Sequence, residues 1–169
     1  MTKIKTLLSV FALIFLATTI YIYSDNIKNV GNDVQDKIVV DAESLRCLAE
    51  NIYFEARGES FEGQIATGQV VLNRLNDPRY PDTVCQVVHQ KSSGVYQFSW
   101  VANKNKDITD VYAWTEATFI AEQMLQGNLV HTKLLEDKAL FYHTEKVHPK
   151  WKKKYIVSQV GNHVFYKGI

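Results

Sequence analysis

The sequence lacks most of the short motifs that indicate a cofactor or a familiar nucleophile. It has no Gly-rich phosphate loop and no G-x-S-x-G turn, which leaves nucleotide binding and a serine-hydrolase site without support. It also has no H-E-x-x-H helix and no C-x-x-C spacing, the commonest signatures of zinc. The formal net charge is +1, so total charge gives no argument for nucleic acid. We therefore expect no cofactor, no metal and no nucleic-acid partner.

Charge is also missing from one long segment near the N-terminus. Lys3 and Lys5 precede an uncharged, mostly apolar run over residues 6–24, and about 18 such residues suffice for a helix to cross a bilayer. The lysines place the N-terminus in the cytoplasm. We predict that residues 1–24 form one transmembrane helix, an inner-membrane anchor or uncleaved signal, with the rest of the chain outside the cytoplasm. A cleaved signal peptide is the alternative, although small residues at a cleavage site are hard to find.

Cysteine is scarce, with Cys47 and Cys85 the two in the chain. Thiols outside the cytoplasm usually pair, so the predicted location favours a disulfide between them. Two free thiols, or half of a metal site, are the alternatives that the sequence leaves open.

The folded domain is predicted to span residues 42–169, after a polar tether over residues 25–41. Its first part has helical periodicity, because apolar residues recur three and four positions apart. Ser60 and Asp82 are the expected N-caps of two of its helices. The predicted helices cover residues 42–57, 60–75 and 109–126, with a short helix after Asp82.

The periodicity changes towards the C-terminus. Residues 139–143, 155–160 and 163–166 are rich in strand-forming side chains, and Gly161-Asn162 separates the last two runs as in a hairpin. The sequence therefore predicts an α+β fold, a mainly helical domain with a small C-terminal antiparallel sheet. We expect a monomer.

Glu55 is the strongest candidate for chemistry. It lies three residues after Ile52 and seven after Leu48, at the edge of an apolar stripe near a helix end. A carboxyl group there is partly desolvated, which raises its pKa. A carboxyl that stays protonated near neutral pH is what a general acid for glycosidic cleavage requires. The alternative is a solvated glutamate paired with Arg57 or a lysine.

Glu59 follows one turn later and is a candidate second carboxylate of a substrate site. Gly58 is expected to break the helix between Glu55 and Glu59, so their separation does not follow from the spacing. In the alternative, Glu59 hydrogen-bonds the N-terminus of the following helix.

The segment Tyr96–Trp100 alternates aromatic rings with amide and hydroxyl groups. Rings stack on sugar faces, and polar groups bind hydroxyl and acetamido groups. The alternative is an amphipathic strand with Phe98 buried. The residues predicted to line a sugar groove are Gln97, Phe98, Ser99 and Trp100.

Trp151 lies in a lysine-rich run over residues 150–154. Such a run is usually a solvated loop, and the alternative is contact with an anionic wall or membrane surface.

Three ordered blocks resemble the cell wall hydrolases of the spore-cortex-lytic type, the SleB/CwlJ group, and the resemblance covers residues 45–166. The first runs from Leu48 to Glu59 and on to Val70–Arg74, and the second from Tyr80–Cys85 to Trp100. The third runs from Tyr142-His143 through Trp151 to Gly161–Tyr166. This resemblance implies a lysozyme-like fold related to lytic transglycosylases and resuscitation-promoting factors. It implies that Glu55 is the catalytic carboxyl, and it adds Tyr142 and His163 to the candidate substrate-binding residues.

The resemblance also implies an activity, the cleavage of peptidoglycan strands between N-acetylmuramic acid and N-acetylglucosamine. Lytic transglycosylases of this kind use one carboxyl, first as acid and then as base, and form a 1,6-anhydro end without a metal. The sequence leaves simple hydrolysis open. Because no added wall-binding domain is present, envelope remodelling or phage lysis is expected rather than a spore role.

Two other classes of function remain as alternatives. A zinc-dependent peptidase or amidase acting on the peptide stems would use histidines of the last third of the chain. A non-catalytic wall-binding module would use the aromatic side chains and the lysine run. The histidines in question are His131, His143, His148 and His163.

Overall fold

The structure is a computed structural model that describes residues 18–22, 24, 40–149 and 151–168 of the chain. The anchor predicted for residues 1–24 and the tether over residues 25–41 fall mostly outside these ranges, so both stay predictions. Residues 18–22 and 24 are helical. Among the described residues, no helix has both the length and the apolar character needed to span a bilayer. Val40–Ile169 forms one compact unit.

The helical part of this unit confirms the long helices that periodicity predicts. A fifth, short helix near residue 132 is not predicted, because its five residues are too few to show a period. In chain order the helices are α1 (Ala42–Ala56), α2 (Phe61–Leu75), α3 (Val84–Val88), α4 (Val111–Leu125) and α5 (Thr132–Glu136).

Side-chain caps fix where the helices begin. Ser60 caps α2 as predicted, and its hydroxyl accepts a hydrogen bond from the Gly63 N–H at 3.2 Å. The expected cap of α3 is wrong by one residue. Thr83, rather than Asp82, is the extended residue whose hydroxyl accepts from the Gln86 N–H at 3.2 Å, which is the geometry an N-cap requires.

Helix α2 runs through the middle of the domain and is buried on nearly every side. Its small residues permit this. A side chain at Gly68 would collide with the sulfur of Met124 on α4. Its polar residues are buried too, and the Asn73 amide donates to the carbonyls of Leu134 and Ala139 at 2.7 and 2.9 Å. This helix therefore buries polar as well as apolar side chains.

The strands of the described residues form two small antiparallel sheets. They are β1 (Lys91–Ser92), β2 (Val95–Tyr96), β3 (Ala139–Thr144), β4 (Ile156–Val160) and β5 (His163–Lys167). The predicted C-terminal sheet is confirmed, with strand order β3-β5-β4 and with Gly161 and Asn162 in the turn between β4 and β5. The hairpin of β1 and β2 is not predicted. The class is thus α+β, as predicted.

A disulfide joins Cys47 of α1 to Cys85 of α3, with their Cα atoms 5.3 Å apart. This confirms the predicted pairing. It clips the short α3 to the helix that carries Glu55.

Candidate active site

A cleft of about 280 Å³ opens where the C-terminal ends of α1 and α2 come next to β3. Glu55 is the next-to-last residue of α1, and Arg74 is the next-to-last residue of α2. The loop after β2 supplies a third wall. The residues that line the cleft are Glu55, Arg74, Gln97, Phe98, Ser99, Phe141, Tyr142 and Trp151.

Glu55 is half-buried at the base of this cleft. Burial raises the pKa of Glu55 above its ordinary value, while the Tyr142 hydrogen bond and the charge of Arg74 oppose the shift only in part. Arg57 does not pair with it but lies over the ring of Tyr53, 4.9 Å from the centroid. The environment is therefore the desolvated one that the sequence predicts, and Glu55 keeps its proton to a higher pH than a solvated glutamate does.

Tyr142 holds one oxygen of this carboxyl group. Its hydroxyl donates to Glu55 Oε2 at 3.1 Å. Burial and the neighbouring charge of Glu55 raise the pKa of Tyr142 well above its ordinary value, so the phenol remains a donor throughout the neutral range. With Oε2 occupied by this donor, Oε1 is the oxygen free to carry the acidic proton.

Arg74 supplies a buried positive charge beside the pair. Its Nε donates to the Leu140 carbonyl at 2.8 Å, and its guanidinium carbon lies 5.0 and 5.6 Å from the ring centroids of Phe98 and Phe141. Burial lowers the pKa of Arg74, but an arginine keeps its charge regardless. Periodicity does not predict this cleft residue, because a basic residue near a helix end is usually a solvated one.

Three of the four residues predicted to line a sugar groove lie side by side in the structure. Gln97, Phe98 and Ser99 line the cleft together. Trp100 does not, because the chain turns into a 3₁₀ helix at Ser99 and the alternation of a strand ends there. Its indole is buried, donates to Asn51 Oδ1 at 3.0 Å and stacks on Phe54. It therefore packs behind the cleft lining, and its predicted contact with sugar stays a prediction.

Glu59 and His163 are also absent from the cleft wall. Glu59 accepts from the backbone N–H and the side-chain amide of Asn162, both at 3.0 Å. Although its burial acts in the opposite direction, these hydrogen bonds hold the pKa of Glu59 below its ordinary value. His163 Nδ1 lies 3.7 Å from Glu59 Oε1, and burial lowers the pKa of this imidazole.

Glu59 therefore latches the β4–β5 turn to the loop between α1 and α2. The ring of His163 packs edge-on against Tyr142, with the ring centroids 5.2 Å apart. Packing through His163 therefore connects Glu59 to a residue of the cleft. Neither residue lines the cleft, and their predicted contact with substrate stays a prediction. The alternative for Glu59, a bond to the next helix N-terminus, is also replaced, because Ser60 caps that helix.

Phe141 and Trp151 are further cleft residues that no motif in the sequence assigns to it. Trp151 packs against Tyr166 and Phe141, with ring centroids 5.1 and 5.8 Å away. An aromatic residue inside an otherwise charged run is the one sequence signal that points to it.

A second recess of about 260 Å³ adjoins the first. It shares the side chains of Gln97 and Phe141 with the cleft. The aromatic and planar polar groups that bind sugars line this recess too. The remaining lining residues are Arg79, Tyr80, Gln90 and Ser92.

Metal ligands are not gathered at either recess. Within residues 18–22, 24, 40–149 and 151–168, no three His, Cys, Asp or Glu side chains lie close enough together to hold an ion. The zinc alternative gains no ligand set from this part of the chain.

Comparisons with known proteins agree with this geometry. A family model described as Cell Wall Hydrolase matches residues 58–166. Spore cortex-lytic enzymes of Bacillus subtilis and Oceanobacillus iheyensis are 50% and 48% identical over 46 residues, 27% of this chain. Those 46 residues span 15% and 17% of the two relatives' own lengths.

Solved structures agree over a longer stretch. The catalytic domain of the germination-specific lytic transglycosylase SleB from Bacillus anthracis superposes with a TM-score of 0.58 at 25% identity. The superposition covers 77% of this chain and 98% of that domain. Because the family model matches well over half of the 169 residues, the chain belongs to the cell wall hydrolase family.

Proposed function

We propose that this chain cleaves the glycan strands of peptidoglycan between N-acetylmuramic acid and N-acetylglucosamine, with Glu55 as the catalytic acid. One observation carries the proposal. A half-buried carboxyl with a raised pKa lies in a cleft walled by aromatic, amide and hydroxyl side chains. The family model begins at Gly58, so the role of Glu55 rests on its geometry and not on that match.

The reaction needs one acid at one position. The proton on Glu55 Oε1 passes to the glycosidic oxygen as the bond from that oxygen to the muramic C1 breaks. The carboxylate left behind is stabilised by the Tyr142 hydroxyl and by the charge of Arg74. It then takes the proton of the muramic C6 hydroxyl, whose oxygen closes on C1. The products are a 1,6-anhydro end and a free N-acetylglucosamine hydroxyl, and no water is consumed.

Transglycosylation is favoured over hydrolysis for a structural reason. Among the described residues that line the cleft, Glu55 is the only acidic one. Glu59 is held by Asn162 and does not face the cleft. Inverting and retaining hydrolases normally use two carboxylates, whereas ring closure by the substrate's own hydroxyl requires one. The SleB domain that superposes on this chain is itself a lytic transglycosylase. We also propose that the domain has a lysozyme-like fold, in which Glu55 lies between the helical part and the C-terminal sheet.

Product analysis tests the proposal most directly. The full chain is incubated with purified peptidoglycan, and the fragments are identified by mass spectrometry. We expect anhydro-muropeptides, with no such fragments from Glu55→Gln. Glu50→Gln is the matched control, because Glu50 lies on the same helix in a surface ion pair with Arg46, and it should behave as wild type. Products with reducing ends would show hydrolysis in place of transglycosylation. Cleaved peptide stems with intact glycan strands would contradict glycan cleavage.

We also propose that the domain acts outside the cytoplasm, held at the inner membrane by residues 1–24, in envelope remodelling or phage lysis. The disulfide between Cys47 and Cys85 supports the compartment, because such bonds persist in oxidising surroundings. Thiol labelling of the unfolded, unreduced protein from cells should be negligible. Strong labelling, or recovery in the cytoplasmic fraction, would contradict this location.

A further inference from the structure

We propose that the lysines beside Trp151 form a recognition strip for the carboxylates of peptide stems that hang from the bound glycan strand. This rests on the proposed function, because it assumes that a peptidoglycan strand lies in the cleft. The strip is defined as Lys146, Lys152 and Lys153.

The first support is a charge asymmetry that the total of +1 conceals. Residues 146–169 contain six of the 19 Lys and Arg residues and none of the 18 Asp and Glu residues. Residues 1–145 therefore carry 13 basic and 18 acidic residues, a balance of −5. A local positive segment on an otherwise acidic chain attracts anions to one place.

The second support is the position of this segment. Trp151 lines the cleft that holds Glu55, and it packs on Phe141, His143 and Tyr166. These contacts fix Trp151 against the sheet next to the cleft. Lys152 and Lys153 follow Trp151 directly in the chain, so we place them beside a glycan strand bound in the cleft.

The third support is that these charges are uncompensated. Lys146, Lys152 and Lys153 are exposed. None of the ion pairs among the described residues involves them, whereas Lys133 is paired with Asp137 at 3.6 Å. A purely solvated loop gains nothing from gathering like charges without counter-charges, since they repel one another.

Peptide carboxylates are the ligand that this arrangement fits. Each muramic acid of a strand carries a peptide stem with free carboxylates, so anions lie beside the sugars at a fixed repeat. Lysine is a flexible point charge rather than a rigid fork, which suits a mobile stem better than a single buried anion. The strip would act on binding and not on the bond-breaking step.

The test is a kinetic comparison at low salt on peptidoglycan freed of phosphate polymers. Lys152→Gln/Lys153→Gln should raise KM about three- to tenfold with kcat unchanged. Lys104→Gln/Lys133→Gln removes the same charge from positions outside the cleft and should leave KM unchanged. The difference should vanish at high salt, and also on peptidoglycan whose carboxylates have been converted to neutral amides.

Three outcomes would overturn the inference. The first is an equal KM for the strip variant and wild type. The second is a difference that survives neutralisation of the carboxylates. The third is a difference that appears only on walls retaining phosphate polymers. Sedimentation of the inactive Glu55→Gln chain with insoluble peptidoglycan, with and without the strip substitutions, measures the same binding without catalysis. A loss of co-sedimentation alongside no glycan cleavage by wild type would reject the proposed function and keep the strip.

Discussion

Glu55 and Glu59 lie four residues apart, the first in the last turn of α1 and the second in the loop that follows it, yet their surroundings have opposite effects on the two pKa values. Glu55 lies in a cleft with aromatic walls and accepts a hydrogen bond from Tyr142. Burial raises its pKa, which Tyr142 and the charge of Arg74 lower only in part. Glu59 meets a backbone N–H and an amide of Asn162, and these hold its pKa below the ordinary value. The first is prepared to give up a proton, and the second to remain a stable anion. Spacing alone does not distinguish them, because what arrives from distant parts of the chain decides each role.

The two carboxylates are nevertheless linked. Glu59 holds the β4–β5 turn, the neighbouring His163 packs on Tyr142, and Tyr142 donates to Glu55. Under the proposed function, Glu59 helps to position Tyr142, the residue that donates to the catalytic acid. We therefore expect substitution of Glu55 to remove the acid itself, and substitution of Glu59 to disturb only the position of Tyr142.

Removing each carboxylate in turn should produce the largest contrast. Glu55→Gln keeps the shape and loses the acid, and activity should fall about a thousandfold, within the range of general acid catalysis. Glu59→Gln leaves the acid in place, and its loss should be tenfold or less. The release of soluble muropeptides measures both. Equal losses would mean that the two carboxylates share the chemistry, as in a two-carboxylate hydrolase.

The contact between Glu59 and the β4–β5 turn can also be broken by a substitution in the turn. Gly161 has a φ of +55°, and a Cβ there would collide with Glu59 Oε2. Gly161→Ala should cost about 2 kcal/mol in the free energy of unfolding, from the strained backbone and the displaced carboxylate. Denaturant unfolding measures the loss.

Gly94→Ala is the matched control for that experiment. Gly94 has a φ of +81°, yet nothing lies within 4 Å of the added carbon. It should therefore carry the backbone strain alone and lose about 1 kcal/mol. Equal losses at the two glycines would show that the contact with Glu59 contributes nothing.

The contrast between the two glutamates also marks how far the sequence can be read. The position of Glu55 at the edge of an apolar stripe is local, because Leu48 and Ile52 on its own helix define that edge. The partner of Glu59 is Asn162, 103 residues away, and no pattern in either segment specifies that meeting. Elements with a clear period or turn signal are predicted well, and this holds for α1, α2, α4 and the Gly161-Asn162 hairpin.

Other failures have the same cause. Alternating rings and amides predict Trp100 at the groove, but the 3₁₀ turn at Ser99 depends on core packing that a short segment does not encode. Arg74 escapes prediction because the rings that bury it, Phe98 and Phe141, come from two other elements. The sequence predicts which residues can take part in chemistry, but it does not predict which side chains from distant elements come into contact.

Tyr142 is where the comparison can be sharpened, since it is the group that opposes the pKa shift of Glu55. The proposed mechanism requires protonated Glu55, so activity should fall as pH rises through the pKa of Glu55. Tyr142→Phe removes a donor to the carboxylate, which raises the pKa further and moves the alkaline limb of kcat/KM to higher pH. The plateau should drop about two- to tenfold, since one hydrogen bond is lost.

Tyr166→Phe is the control for this pH profile. It removes a hydroxyl that lies 2.9 Å from His143 Nε2 and not at the acid. Its alkaline limb should stay where the wild-type limb lies. A limb that moves to lower pH in Tyr142→Phe would mean that the phenol stabilises the protonated carboxyl instead.

The smallest effect concerns stability. A carboxyl whose folded-state pKa is raised binds more protons in the native state, so its contribution to stability declines as pH rises from the ordinary carboxyl pKa to the raised one. Glu55→Gln escapes this loss and should be more stable than wild type by about 0.5 kcal/mol near neutral pH, with no difference in acid.

Glu59 should show the opposite dependence on pH, because its pKa is lowered in the folded protein. Its contribution to stability is present above the ordinary carboxyl pKa and is lost as pH falls through the lowered pKa. Glu59→Gln should therefore be less stable near neutral pH, and that deficit should also close in acid. Denaturant unfolding at a series of pH values follows both. A change in stability of the same sign for both variants at neutral pH would contradict this, because it would mean that the two carboxylates have similar environments.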